Sequence, residues 1–409
     1  MVFLIRNLEE DDWKGSFINM LDFSYYAPTY YEFGRKSEEH VGELIQRFDG
    51  HKVLIHYGGG SVQKSGLLDR IKTYLSESNI PFLELGGVQP NPESDLVYNG
   101  IELCRKEKVD FILAVGGGSV IDSAKAIGAG VLYDGDFWDF FKDDDCKVVE
   151  NTLPVGVVLT IAAAGSEGSP SMVITNSEMK LKRGNIKCDA VRPVFAIMNP
   201  ELTFSLPEYQ TACGIVDIMT HVIERYFSNT KGGSVTDRMC ESILKAMIEN
   251  GKKVMKDPNN YEARANIMWA STIAHNNICG VGRVQDWSSH KIEHELSAKY
   301  GIAHGAGLAV VVIKWMRFVS TLNPSKFIDF SKNVFGVCLD ENDQYLVEIG
   351  ILKLQEFWKS LGMPITIEEL GYKSDDLEYL VEHVDYAEDG TLGNYVKLTP
   401  DDVRDIYRS

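Results

Sequence analysis

One short unit occurs twice in this chain and constrains its fold more than any other feature. KVLIHYGGGSVQKSGLLDRI opens with an apolar run over 53–57 and turns through Gly58, Gly59, Gly60 and Ser61. Leu67, Leu68, Ile71 and Leu75 then follow at helical spacing. DFILAVGGGSVIDSAKAIGAGVL repeats the pattern: an apolar run over 111–115, then Gly116, Gly117, Gly118 and Ser119, then a helix. A short, unbroken apolar run reads as a strand buried on both faces. Strand–loop–helix units in series build a parallel, doubly wound α/β sheet. Such sheets bind ligands beyond the carboxyl ends of their strands. Further strands are expected at 81–85, 155–160, 172–175 and 194–198, and the aromatic-rich stretch 17–35 suits strands as well. A helix is expected over 36–48, entered by Ser37, and Pro92 sits near the start of another.

Neither glycine loop is G-x-G-x-x-G, so the usual dinucleotide fingerprint is absent. The physical use remains. Glycines let the backbone approach a pyrophosphate, and a helix N-terminus offers free N–H groups and the positive end of its dipole. Ser119 adds a hydroxyl. Asp122 and Lys125 follow in the first turns. Asp122 also suits the helix dipole with no ligand present, and Lys125 is expected either to touch the nucleotide or to be solvated. A single loop of this kind is as often a plain turn; its recurrence favours a nucleotide.

After Asn199-Pro200 the texture changes, and residues 207–360 follow the helical period with few strand-like runs. The expected division is an α/β dinucleotide-binding domain over 1–203 and an all-helical metal-binding domain over 204–409. The acidic tail 361–409 reads as short helices and loops. The helical half holds the second distinctive feature. GIVDIMTHVIERYF sets Asp217 and His221 four residues apart, and DWSSHKIEHELSAKYGIAHG sets His290 and His294 four apart, with His304 ten further on. Residues four apart share a helix face. One carboxylate and three imidazoles from two segments form a ligand set for Fe²⁺ or Zn²⁺, and an open position would admit a substrate oxygen. A lone Asp/His pair at this spacing is common by chance, and a lone histidine such as His294 is more often packed or solvated. The two segments together raise the weight of a metal site.

Composition narrows the partners. The 409 residues are 44% hydrophobic, enough for two or three domain cores. With 41 basic against 59 acidic residues the net charge is −18, and such a surface repels phosphate backbones, so nucleic acid is not an expected partner. No apolar run is expected to reach the length of a membrane span. The start, MVFLIRNLEEDDWKGSF, turns acidic too soon for a signal peptide. Seven cysteines (Cys104, Cys146, Cys188, Cys213, Cys240, Cys279, Cys338), an odd number without C-x-x-C, read as reduced thiols of a cytoplasmic protein.

Taken together, these residues resemble the iron-dependent (group III) alcohol dehydrogenases, in particular the butanol dehydrogenase-like branch. The similarity spans essentially the whole chain. It is carried by APTYYEFG at 27–34, YGGGSVQKSG at 57–66, GGVQPNP at 86–92, AVGGGSVIDSAKAIG at 114–128, GSE at 165–167, CGIVDIMTHVIERYF at 213–227 and the His290, His294, His304 series. The resemblance implies a dehydroquinate synthase-like fold, with an N-terminal nucleotide-binding α/β domain and a C-terminal helical domain. It implies Asp217, His221, His290 and His304 as metal ligands and His294 as a further histidine near substrate and nicotinamide. Gly116, Gly117, Gly118 and Ser119 would hold the pyrophosphate. Asp122 would lie near the nicotinamide end, Thr160 near the adenine and Lys182 near the adenosine phosphate.

In this family the first loop lies by the adenosine ribose. Gly58, Gly59, Gly60 and Ser61 carry no acid to repel a 2′-phosphate, which favours NADP(H) over NAD(H); Glu84 at the end of the next strand tempers this. Iron is the implied metal, with Zn²⁺ fitting the same ligands, and a homodimer is the implied assembly. Ala164 departs from the threonine usual in the family's ATGSE-like run. The expected reaction is hydride transfer between NADP(H) and a small primary alcohol or aldehyde, such as butanol or butyraldehyde. The metal would act as Lewis acid, and His294, with a pKa near working pH, would pass a proton or else only pack. Trp269, Trp287 and Tyr300 could shape an apolar pocket. The alternatives are an NAD- and zinc-dependent lyase resembling dehydroquinate synthase, and a non-catalytic relative that binds nucleotide or metal.

Overall fold

The computed structural model describes residues 19–142, 146–179, 181–185, 188–337 and 342–409. The two glycine units lie side by side in it. Strand β1 (Tyr30–Phe33) and helix α1 (Val41–Arg47) precede the first unit, β2 (Val53–Gly58), α2 (Ser61–Lys64) and α3 (Leu67–Glu77). Then come β3 (Phe82–Val88), α4 (Ser94–Glu107) and the second unit, β4 (Phe111–Gly116) and α5 (Gly118–Leu132). The half closes with β5 (Val155–Leu159), β6 (Val173–Asn176), β7 (Leu181–Gly184) and β8 (Phe195–Met198). Six strands form one sheet in the order β1-β8-β5-β4-β2-β3. Every pairing in it is parallel. Strands β4 and β5 are buried throughout, which is why their sequences are apolar without alternation.

The order of the strands locates the ligand crevice. From β2 the chain winds outward to β3, but from β4 it winds the other way to β5 and β8. The reversal falls between β2 and β4, paired in register from Val53↔Phe111 to Tyr57↔Val115. Both glycine loops leave the carboxyl ends of these two neighbouring strands, at the switch point where doubly wound sheets bind nucleotides.

Past β8 the described residues contain helices and one isolated bridge, Leu392↔Leu398. The helices are α6 (Glu208–Tyr226), α7 (Ser234–Lys256), α8 (Tyr261–His275), α9 (Ser288–Tyr300), α10 (His304–Leu322), α11 (Ser325–Phe335), α12 (Asp343–Ser360), α13 (Leu377–His383) and α14 (Pro400–Arg408). Helix α6 is buried continuously from Thr211 to Tyr226 and packs against α7, α8 and α10. It is the central post of this half.

Several local expectations change. Of the described part of the aromatic stretch, 19–35, only Tyr30–Phe33 is a strand; residues 1–18, including the charged start, lie outside the described residues, as does Cys338. The helix expected over 36–48 splits into a 3₁₀ turn (Ser37–His40) and α1. Lys36, in a left-handed conformation, takes the cap position, and the Ser37 hydroxyl has no partner. Strand β6 pairs with β7 in a separate antiparallel hairpin. Helix α10 is long and apolar enough to span a membrane, contrary to expectation, but 78% of that stretch is buried inside the fold. Its apolarity serves the core.

Candidate active site

Three of the expected ligands converge. Oxygen or nitrogen atoms of Asp217, His290 and His304 lie within 4.8 Å of one another. Helix α6 supplies Asp217 and, one turn on, His221, whose Nε2 is 3.4 Å from Asp217 Oδ1. His304, the first residue of α10, turns its Nε2 to 3.9 Å from the same oxygen. The His221 and His290 rings pack with centroids 4.6 Å apart, so His221 closes the fourth side. Asp217 Oδ1, His221 Nδ1 and His290 Nε2 are buried without a hydrogen-bond partner. Buried polar atoms are almost always satisfied, so orphaned atoms on residues that converge in this way mark a place for a cation. Donor chemistry and convergence both fit a divalent transition metal held by Asp217, His221, His290 and His304.

The opposite ring nitrogens show how the histidines are aimed. His290 Nδ1 is 3.1 Å from Glu224 Oε1. The Glu224 carboxylate also accepts the backbone N–H of His290 at 3.0 Å and of Trp287 at 2.8 Å, which fixes the start of α9. Burial raises its pKa to about 7, against the pull of those backbone donors. His304 Nδ1 meets Glu293 in the same manner. Burial would raise the Glu293 carboxyl, but His304, Lys182 and Ser297 together hold it below its usual range. Neither glutamate was singled out from sequence, although the spacing carried a signal. Glu224 continues the Asp217–His221 stripe by three residues, and Glu293 follows His290 by three. His275 and Arg225 were also missed. The His275 ring lies 4.1 Å from that of His221, and Arg225 donates to His221 O at 2.7 Å with its guanidinium 4.6 Å from the Trp287 ring.

The remaining candidates divide. His294 is half-buried, its ring 5.5 Å from His304. Burial, then Lys182, His304 and His290, push its pKa well below the usual value, where the sequence suggests a group titrating near neutrality. Lys182, on β7, is influenced by Glu293, Asp217, Glu295 and Asp122. Burial outweighs the pull of those acids and lowers its pKa. Lys125 is not solvated but fully buried. Its Nζ donates to Ser166 O at 2.7 Å, Ser166 Oγ at 2.9 Å, Ser171 O at 2.9 Å and Ser169 O at 3.1 Å, and burial lowers its pKa to about 8. Asp122 accepts from Ser166 Oγ and, at 2.9 Å, from Val173 N, tying α5 to this loop and to β6. Trp287 lies against His290 with centroids 5.2 Å apart. Trp269 is 42% exposed against Tyr31 and Phe33, and the Tyr300 hydroxyl donates to Asp376, so neither joins the histidines.

The glycine loops reach this cluster through one segment. Thr160 N donates to Gly116 O at 3.0 Å. A β-carbon on Gly117 would lie 2.0 Å from Ile161 Cγ2, and one on Gly214 would lie 2.3 Å from Ala162 O. Residues 160–165 are thus pressed between the second glycine loop and α6, three residues before Asp217. Helix α5 opens at Gly118 with no acid in its first turn, leaving its positive end clear for an anion.

Comparison with known proteins agrees with this geometry. Residues 28–200 match the model of the iron-containing alcohol dehydrogenases, and residues 211–409 match that of the C-terminal part of the Fe-containing alcohol dehydrogenase family. The chain belongs to the iron-containing alcohol dehydrogenase family and is an oxidoreductase of that type. It is 42% identical to NADH-dependent butanol dehydrogenase A of Clostridium acetobutylicum over 95% of this chain and 99% of that one. It is 34% identical to the NADPH-dependent aldehyde reductase YqhD of Escherichia coli over 95% and 100%. The solved NADH-dependent butanol dehydrogenase A of Thermotoga maritima superposes with a TM-score of 0.91 at 38% identity, over 96% of this chain and 99% of that one. These matches favour the dehydrogenase over the lyase-like and non-catalytic alternatives.

Proposed function

We propose that this enzyme transfers a hydride reversibly between NADP(H) and a small primary aldehyde or alcohol of about butyraldehyde size. The observation that carries the proposal is the contact of segment 160–165 with both the second glycine loop and α6, which sets a nucleotide cradle beside the Asp217 cluster. When bound, the metal supplies a Lewis acid toward the substrate oxygen and the nicotinamide supplies the hydride. The protein's own part is placement. Gly116, Gly117, Gly118 and Ser119 hold the pyrophosphate at the start of α5. His294, its ring 5.5 Å from that of His304, passes a proton toward solvent. Trp287 and the histidine rings keep water from the reacting end. The names of the relatives supply the substrate class.

Preference for NADP(H) rests on the first loop. Gly58, Gly59, Gly60 and Ser61 present no carboxylate to a 2′-phosphate. Glu84, the acid that weighed against this, is engaged by Lys72 at 2.8 Å. Two of the relatives compared carry NADH in their names and one carries NADPH, so the two coenzymes need a direct comparison. A homodimer is proposed through the outer edge of β1, where Phe33 and Trp269 are exposed. The described cysteines are free thiols, which suits a cytoplasmic location. The test is anaerobic purification, elemental analysis, and butyraldehyde reduction with NADPH and NADH in parallel, before and after chelation and return of Fe²⁺ or Zn²⁺. Metal-dependent turnover with higher kcat/KM for NADPH is expected. A higher kcat/KM for NADH would overturn the coenzyme assignment, and absence of turnover in metal-replete protein would overturn the substrate class.

A further inference from the structure

We infer that Glu293 is the positioning residue that makes His304 a metal ligand, holding its Nδ1 so that Nε2 turns toward Asp217. The inference rests on the metal site proposed above. Glu293 is fully buried, and its carboxylate has two side-chain partners, His304 Nδ1 and the Ser297 hydroxyl. The fold keeps a dedicated space for it: a β-carbon on Gly307 would lie 2.4 Å from Glu293 Oε1. A buried carboxylate is costly unless a strong partner faces it, and the partner here is the imidazole whose other nitrogen looks into the metal cluster.

Position on the helix gives this carboxylate a second use. His304 is the first residue of α10, whose N-terminus carries the positive end of the helix dipole. A cation bound there would be disfavoured by the dipole, and Glu293 compensates at the same helix start. Glu224 performs the parallel task for His290 at the start of α9, but its carboxylate is shared with two backbone N–H groups. No backbone donor competes with His304 for Glu293 among the hydrogen bonds of the described residues. Outer partners of this kind orient a ligating histidine and raise its basicity, and their loss costs about 10–100-fold in metal affinity.

The competing explanation is that Glu293 only stabilises the first turn of α10. Wild type, Glu293→Gln, Glu293→Asp and His304→Ala are stripped of metal and titrated with Co²⁺ against a chelating dye. The visible Co²⁺ spectrum and the melting temperature of the metal-free protein are recorded for each. Glutamine keeps an acceptor but loses the charge; aspartate keeps the charge at the helix start but draws it back by one methylene. Both are expected to weaken Co²⁺ binding about tenfold and to shift the visible band. Wild-type affinity and spectrum in the two Glu293 variants would overturn the inference, whatever their melting temperatures. Wild-type Co²⁺ affinity in His304→Ala would instead overturn the ligand assignment beneath it.

Discussion

Glu293 and His304 sit on consecutive helices, and the carboxylate of one faces Nδ1 of the other across the start of α10. Glu224 and His290 repeat the relationship one helix earlier. Each imidazole is thereby anchored at the nitrogen turned away from Asp217, and the site is preformed on rigid elements.

Convergence on Asp217 makes it the residue most exposed to a change of charge. In Asp217→Asn, His221, His290 and His304 lose the anion they face. Metal content measured by elemental analysis should fall about tenfold or more, with turnover falling in proportion. Full metal occupancy in this variant would contradict its place as a ligand.

Gly117→Ala should separate the two halves of the cleft. The new β-carbon would overlap Ile161 Cγ2, and overpacking of this kind costs about 1–3 kcal/mol. Segment 160–165 must then move away from the pyrophosphate loop. NADPH affinity, read by fluorescence titration, is expected to weaken about tenfold or more while metal content is kept.

Lys125→Met tests a structural role for a residue beside the glycine loop. The substitution leaves three carbonyls and a hydroxyl in the 166–171 loop without their donor, and removes the cation that both Asp122 and Glu167 feel. A loss of about 3 kcal/mol in urea unfolding is expected. Unchanged stability with loss of NADPH binding would return Lys125 to the nucleotide.

His56 gives a pH dependence remote from the metal ligands. Its ring is buried between Leu85 O and Ser123 Oγ, and burial lowers its pKa from 6.5 to about 4. Above pH 6.5 neither the folded nor the unfolded chain protonates it. Between 6.5 and about 4 only the unfolded chain does, so stability falls with pH across that window by about 3 kcal/mol. Urea unfolding at pH 7 and pH 4.5 should show a smaller acid loss in His56→Gln than in wild type. An equal loss in both would remove His56 as the cause.

The sequence by itself determined the parallel sheet, its two glycine loops, the helical second half and the side chains proposed as metal donors. Each was legible because it is local. An apolar run, a glycine turn and a four-residue spacing express their geometry within one or two turns of chain. The resemblance of the whole chain supplied the family. Tertiary structure decided whatever depends on the neighbour brought in from elsewhere. It placed Glu224 and Glu293 behind the histidines and turned Lys125 inward to a loop some forty residues on. It left Trp269 at the surface and buried α10, whose composition alone would suit a membrane. The reason is physical: periodicity fixes the face on which a side chain lies, but its partner, burial and charge state are set by the surface packed against that face.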